Sequence, residues 1–272
     1  MPELPEIETV RRHLEKQVVG KAIQDVAVGR PKTLNVAPDA FAQALTGRSF
    51  QGAERRGKVI RLRLPGGLSL LFHFMIDGYL RFFSPDEAAP EGANVTLRFD
   101  TGETLAFYRM HLGYVQLFAD AEVEGNPDYA GLGQDPLDSS FDLEAWMRLL
   151  SARRGMIKPL LMDQKVIAGI GNVYSNEALF CSRILPARKL PTLSDTEKER
   201  LYHCLRTILA ESVRLGGVSE DPFQTGDTFT GGYTSRLQVY DRAGQPCFSC
   251  SGLIETDRVG GRNAFFCPRC QR

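Results

Sequence analysis

Near its C-terminal end the chain carries Cys247-x2-Cys250 and, after sixteen intervening residues, Cys267-x2-Cys270. A two-residue gap lets a tight turn aim two sulfurs at one ion, and two such turns complete a tetrahedron. Four thiolates leave no open coordination position. The spacing therefore predicts one structural Zn2+ in a zinc ribbon rather than a catalytic metal. Leu253 to Phe266 read as two short strands around Gly260-Gly261, with Arg262 at the hairpin tip. Two readings are open to Arg262: a solvated turn arginine, or a guanidinium fork set on a phosphate.

A ribbon this small has no room for a catalytic pocket, so any chemistry has to come from the rest of the 272 residues. Lys plus Arg and Asp plus Glu number 33 each. That balance excludes a polycationic coat protein but allows a local basic groove. No stretch approaches the ~20 apolar residues that span a bilayer. The acidic, proline-containing start Met1-Pro2-Glu3-Leu4-Pro5-Glu6 lacks the parts of a secretory signal. The expectation is a cytoplasmic, membrane-free monomer in which disulfides are rare. Cys181 and Cys204, on apolar helical positions, are then expected to be core thiols.

Pro2 to about Val19 has helical spacing, with Ile7, Val10 and Leu14 on one face, Pro2 at the first helical position and Gly20 as the stop. Strand-like runs follow: Val59–Leu64 and Leu68–Met75 around Pro65-Gly66-Gly67, Asn94–Phe99 and Glu103–Tyr108 around Asp100-Thr101-Gly102, then Gly113–Phe118. Short strands joined by hairpin turns indicate an antiparallel sandwich. Helical patterns take over at Leu143–Arg153, Asn172–Phe180 and Ser194–Leu215. The last opens on the capping box Ser194-x-x-Glu197, carries a core stripe at Leu201, Leu205, Ile208 and Val213, and closes at Gly216-Gly217. The expected organisation is a helix-plus-sandwich domain over 1–125, a linker at 126–140, a helical domain over 141–225 and the ribbon over 226–272.

Three constellations bear on chemistry. Pro2 is an ordinary helix start, or, once Met1 is trimmed, a secondary amine titrating near ~8, nucleophilic toward an electrophilic carbon, with Glu3 beside it as acid or base. Gly169-Ile170-Gly171-Asn172 is a tight corner between helices, or a helix N-terminus whose N–H groups meet an anion. Asn172 would cap the helix or donate to the same phosphate, and Lys158, Lys165, Arg153 and Arg154 nearby are a solvated face or part of a nucleic-acid groove. Arg56-Gly57-Lys58 is a basic turn at a sheet edge, with Lys58 a solubilising charge or a phosphate contact.

Taken together, Pro2-Glu3-Leu4-Pro5-Glu6, Arg56-Gly57-Lys58, the Gly169–Phe180 segment and the terminal cysteine ribbon resemble the formamidopyrimidine-DNA glycosylase and endonuclease VIII family over essentially the whole chain. The resemblance implies an α+β, multidomain fold: N-terminal helix and β-sandwich, helix–two-turn–helix domain and zinc ribbon. It implies double-stranded DNA with a damaged base or abasic site as partner, the damaged nucleotide flipped out of the stack. Pro2 would attack C1′ of the deoxyribose to form a Schiff base, Glu3 would protonate the sugar ring oxygen and Glu6 would assist. Lys58 would contact phosphates beside the lesion, and Asn172, Lys158 and Arg262 would grip the flanking strand. Ile76, at the usual wedge methionine, and Met110 and Leu112, at the usual Arg and Phe of a second loop, would fill the gap left by the base. The run from Gly226 through Leu237-Gln238-Val239-Tyr240 reads as a short link to the ribbon. That leans toward the endonuclease VIII-like range of oxidised pyrimidines and hydantoins, the alternative being a purine glycosylase of the 8-oxoguanine or formamidopyrimidine type. The competing class is a damaged-DNA-binding protein that no longer cuts.

Overall fold

Capping sets the start of the first helix. In the computed structural model, which describes residues 1–272 apart from the side chain of Pro127, α1 spans Leu4–Gln17 with Glu3 as its N-cap. The Glu3 carboxylate accepts from the Glu6 N–H, and the Glu6 carboxylate accepts from the Glu3 N–H at 2.8 Å. The helix therefore begins two residues later than the spacing suggests. The proline in its first turn is Pro5, and Pro2 lies ahead of the hydrogen-bonded backbone.

The chain divides into two units, residues 1–131 with 215–232, and residues 132–214 with 233–272. The expected boundaries at 125, 140 and 225 miss this pattern, because 215–232 returns to the first unit. In that unit α1 is followed by β1 (Ile23–Val28), α2 (Pro38–Leu45), β2 (Gly52–Arg56), β3 (Val59–Leu64), β4 (Leu68–His73), β5 (Tyr79–Phe83), β6 (Val95–Phe99), β7 (Thr104–Tyr108) and β8 (Tyr114–Ala119). Two short helices, α3 (Asp120–Gly125) and α4 (Pro127–Ala130), end the stretch. The expected linker at 126–140 thus contains a helix, and Tyr129 is buried there against Val59, Leu71 and Val123.

Two four-stranded antiparallel sheets form, ordered β1-β6-β7-β5 and β2-β3-β4-β8. Alternation explains their faces: Ile60, Leu62 and Leu64 of β3 point into the shared core, while Arg61 faces the other side and bonds Ser69 and Asp120. Leu70 and Phe72 from one sheet, Leu97, Leu105 and Phe107 from the other, and Ile7, Leu14, Phe41 and Leu45 from the helices share that core. Phe72 and Phe107 meet edge to face across it, 5.1 Å between centroids.

The second unit holds α5 (Leu143–Ser151), α6 (Ile157–Met162), α7 (Asn172–Cys181), α8 (Asp195–Arg214) and the hairpin β9 (Glu255–Val259) and β10 (Arg262–Phe266). The capping box of α8 forms as the sequence indicates, Ser194 and Glu197 bonding reciprocally at 2.8 and 3.2 Å, and its predicted stripe is buried. Helix α7 is enclosed on most sides, so its polar residues need partners. Glu177 accepts three backbone N–H bonds, from Gln238, Val239 and Tyr240 at 2.8, 3.0 and 2.8 Å, tying α7 to the run into the ribbon. Cys181 and Cys204 correct the expectation of core thiols: they form a disulfide between the end of α7 and α8, with Cys204 buried and Cys181 exposed. Packing of the two helices brings their Cα atoms to 5.8 Å, within bridging range. Among the described residues no helix is long and apolar enough to cross a membrane.

Phe107→Ala removes a fully buried ring from the contact between the sheets. It should lower unfolding free energy by about 3–5 kcal/mol, measured by denaturant titration.

Candidate active site and nucleic-acid interface

The head of α1 gathers the predicted nucleophile and acids. Pro2 is half-buried, and Glu3 and Glu6 are buried behind it. Both Glu6 oxygens serve backbone amides: Oε2 accepts from Glu3 N–H at 2.8 Å and Oε1 from Val218 N–H at 2.9 Å. Glu6 is therefore a positioning group, fixing Glu3 and the turn at Gly217-Val218. Gly217 is required there, since a Cβ would stand 2.3 Å from Glu6 Oε1 and its φ is +72°. A crevice of about 30 Å³ runs beside Pro2, walled by Glu6, His13, Tyr79, Ser219, Asp221 and Thr230.

Lys58 sits at the turn between β2 and β3, with Gly57 before it at φ +56°, which suits a tight two-residue hairpin. Its side chain is buried. The turn is tied to α1 through Arg55, whose Nε bonds Glu8 at 3.1 Å. Burial would raise the Glu8 carboxyl, but the hydrogen bond and charge of Arg11 and the charge of Arg55 outweigh it and hold it below its ordinary value. The pairing of Ile60 with Phe72 brings the end of β4 beside the start of β3. There His73, which the sequence reading did not single out as a functional residue, is pushed down to about 4 by burial and by the Lys58 charge. Its Nδ1 accepts from Met75 N–H at 2.8 Å, so the neutral ring carries its proton on Nε2. His73 ends a strand fifteen residues from Lys58, and only the pairing of β3 with β4 brings the two together.

The wedge residues separate. Ile76 is 58% exposed and Leu112 61% exposed, while Met110 is 1% exposed. Met110 is therefore not a DNA wedge. Its thioether packs where any Cβ on Gly78 or Gly113 would be, 2.8 and 2.9 Å away, and so joins the two loops from inside. The loop's exposed polar side chain at this point is Arg109, one residue earlier, which lies over the Tyr79 ring at 4.6 Å and bonds Asp221 at 2.6 Å.

In the second unit, Gly169 at φ +95° and Gly171 lead into α7, placing Asn172 at its first turn. Lys158 is fully buried rather than exposed to a ligand. Its ammonium donates to Asn172 Oδ1 at 2.5 Å and to the Asn263 carbonyl at 3.0 Å. Because an ammonium only donates, it engages the Asn172 oxygen and leaves the amide NH2 to donate elsewhere. Arg262 is exposed at the start of β10, after Gly260 and Gly261 at φ +59° and +78°. Gly260 lies against Pro159, where a Cβ would come within 2.5 Å of the ring. One buried lysine thus joins the helix N-terminus to the strand that presents Arg262.

The four thiols of Cys247, Cys250, Cys267 and Cys270 lie within 4.8 Å of one another. The pairs Cys250–Cys267 and Cys247–Cys270 are 3.5 and 3.9 Å apart. Sulfurs at about 2.3 Å from a tetrahedral zinc would be roughly 3.8 Å apart, so the set fits one structural zinc ion. Val239, Ile254 and Phe265 pack around it.

Residues 1–111 match the formamidopyrimidine-DNA glycosylase N-terminal domain, 132–223 the H2TH domain of those enzymes, and 244–272 the zinc finger found in FPG and IleRS. The chain is 37% identical over 277 residues to a formamidopyrimidine-DNA glycosylase of Heliobacterium modesticaldum, all of both chains being covered. The chain belongs to the formamidopyrimidine-DNA glycosylase family. A second relative of that name, from Pelobacter propionicus, is 35% identical over 272 residues, again covering all of both chains. Solved structures agree. A complex of wild-type Lactococcus lactis Fpg with N7-benzyl-Fapy-dG DNA superposes with a TM-score of 0.89 at 30% identity, covering all of both chains. A complex of that protein with abasic-site DNA gives 0.90 at 30% identity, covering 99% of each.

The relatives' shared name favours the purine-glycosylase alternative over the endonuclease VIII-like lesion range. The zinc finger identity of residues 244–272 agrees with the thiol geometry: the ribbon holds one structural Zn2+.

Chelation of the zinc should unfold the ribbon and release Arg262 from its place. Circular dichroism and DNA-binding titrations with and without chelator should show both losses together, restored by zinc. Lys158→Met keeps the volume and removes the ammonium. It should weaken binding to abasic-site duplex by about tenfold, as loss of a charge-assisted hydrogen bond of roughly 1.5 kcal/mol or more implies, measured by fluorescence anisotropy.

Proposed function

We propose that the chain is a bifunctional base-excision enzyme, a DNA glycosylase with AP lyase activity, acting on ring-opened or oxidised purines in double-stranded DNA. The observation that supports it best is the head of α1, where Pro2 precedes the hydrogen-bonded turn and Glu3 and Glu6 interlock behind it. With Met1 removed, Pro2 offers a secondary amine titrating near ~8, a usable nucleophile in its neutral form. Its nitrogen bonds to C1′ of the flipped deoxyribose and the bond from C1′ to the base breaks. Glu3 gives a proton to the ring oxygen as the C1′–O4′ bond opens, leaving an iminium between Pro2 and the sugar. Loss of sugar protons then expels the 3′ and 5′ phosphates in turn. Glu6 acts through its hold on Glu3 rather than on substrate.

The remaining residues position the strand. Lys58 faces phosphate beside the lesion, and the Asn172 amide and Arg262 take flanking phosphates, contacts that carry no sequence information. Ile76 and Leu112 are the exposed apolar side chains suited to fill the vacated stack. The purine range draws support from the relatives' shared name and from the Fapy-dG complexes of the Lactococcus lactis protein.

Borohydride reduction on abasic-site duplex should trap a covalent adduct at Pro2, and Pro2→Gly or an N-terminal extension should abolish it. Tight binding with no adduct would mean a damage-binding protein. An active sample that retains Met1 by mass spectrometry would exclude Pro2 as nucleophile. Faster release of an oxidised pyrimidine than of a formamidopyrimidine would reverse the lesion range.

A further inference from the structure

Helix α7 has ten residues, so its two ends lie roughly 15 Å apart. Asn172 stands at the first turn. The other end opens into a cavity of about 640 Å³, a size that takes small ligands. Cys181, Arg183, Arg200, Arg269, Cys270 and Arg272 lie on its wall. Backbone pairing holds two of the arginines side by side: the Arg272 N–H donates to the Arg183 carbonyl at 3.1 Å, and the Leu185 N–H to the Arg272 carbonyl at 3.0 Å. Arg200 is anchored through its Nε, which donates to the Ser182 carbonyl at 2.7 Å. The Arg269 stem lies against Gly252, where a Cβ would come within 2.8 Å of its Cδ.

Like charges gathered around one hollow repel each other and attract an anion. Among the described residues Glu197 is the one acidic side chain on the wall, and Arg188 already takes both of its oxygens, at 3.2 and 3.3 Å. No carboxylate of the described residues pairs with Arg183, Arg200, Arg269 or Arg272. The zinc-binding thiols reach the cavity through Cys270 alone. The same wall carries a sulfur that can react. Cys181 is exposed there, while its disulfide partner Cys204 is buried. A thiolate coming from the cavity meets the Cys181 sulfur first.

We propose that this cavity binds a small thiol bearing carboxylate groups and that Cys181 is the sulfur it attacks, which makes the Cys181–Cys204 cross-link a site of reversible thiol–disulfide exchange. The guanidinium forks hold the carboxylates. The bound thiolate forms a bond to Cys181 Sγ as the bond between Cys181 and Cys204 breaks. The electron pair of that bond leaves on Cys204, which takes a proton from water. A second thiolate of the same kind attacks the small thiol's own sulfur in the mixed disulfide, frees Cys181 as a thiolate and departs as a symmetrical disulfide. Two small thiols are thus oxidised while the cross-link is reduced by two electrons, and the reverse steps restore it. The adduct forms next to Phe180, which packs in the core of the ribbon with Val239, Ile254 and Phe265.

The test uses full-length, zinc-loaded protein purified without reductant. Rate constants for opening the cross-link are measured with glutathione, an acidic tripeptide thiol, and with uncharged β-mercaptoethanol, each corrected for its thiolate fraction. Mass spectrometry locates the adduct. The preference for glutathione should be about tenfold greater in the unaltered protein than in the double variant Arg183→Gln with Arg269→Gln, the scale expected of a cleft lined by one sign of charge. Arg183→Lys with Arg269→Lys keeps the charge and should keep most of the preference. In the unaltered protein inorganic pyrophosphate should slow glutathione and leave β-mercaptoethanol unaffected, a comparison that depends on no substitution. The adduct should lie on Cys181. Equal preference in all three proteins, no effect of pyrophosphate, an adduct on Cys204, or free thiols at both positions in the purified protein would each overturn the proposal. Protection of the cross-link by abasic-site duplex as strong as that by pyrophosphate would assign the arginines to DNA and overturn it as well.

Discussion

A buried carboxylate with both oxygens committed to backbone amides holds the head of α1 together. Glu6 takes the Glu3 N–H through one oxygen and the Val218 N–H through the other, joining the start of the chain to a turn 212 residues away. A charge removed from water is tolerable only when its hydrogen-bonding capacity is met. Here that requirement is what fixes the geometry: the first helical turn cannot shift without breaking one bond, nor can the Gly217-Val218 turn without breaking the other. Pro2 and the crevice wall inherit their positions from it.

The second unit uses the same device with the opposite sign. Lys158 is buried and donates to Asn172 and to the Asn263 carbonyl, so a helix N-terminus and a hairpin strand are set by one ammonium. Glu177 performs a similar service for the run into the ribbon, accepting three consecutive amides. Burial raises its carboxyl above the ordinary value while those three N–H groups pull it the other way. In each case one buried side chain fixes backbone or side-chain groups from distant parts of the chain. Lys158 thus ties Asn172 to the strand that carries the exposed Arg262.

Features encoded within a few residues were legible in the sequence. The cysteine spacing, the capping box at Ser194 and Glu197, and the hairpins around Pro65-Gly66-Gly67 and Asp100-Thr101-Gly102 all stand where the spacing put them. What escaped was set by distant neighbours. Strand β2, Gly-Ala-Glu-Arg-Arg, is too charged to read as a strand, yet it pairs fully with β3. Met110 looked like a loop residue, but glycines at 78 and 113 open a hole that its thioether fills. Lys158 read as one of several basic residues, and only a strand 105 positions later shows that it is buried. Glu6 read as a second acid because its partner at Val218 lies beyond any local pattern. The disulfide between Cys181 and Cys204 depends on how α7 and α8 pack, which a compartment argument does not address.

The return of residues 215–232 to the first unit has a consequence for how the protein is made. During synthesis the sandwich and its proline-bearing helix leave the ribosome long before Val218 and Phe223 exist to complete them. The helices of residues 132–214 emerge in between. The first half to be translated thus stays without its finishing piece until most of the message has been read, and only the ribbon segment, residues 233–272, is made after it.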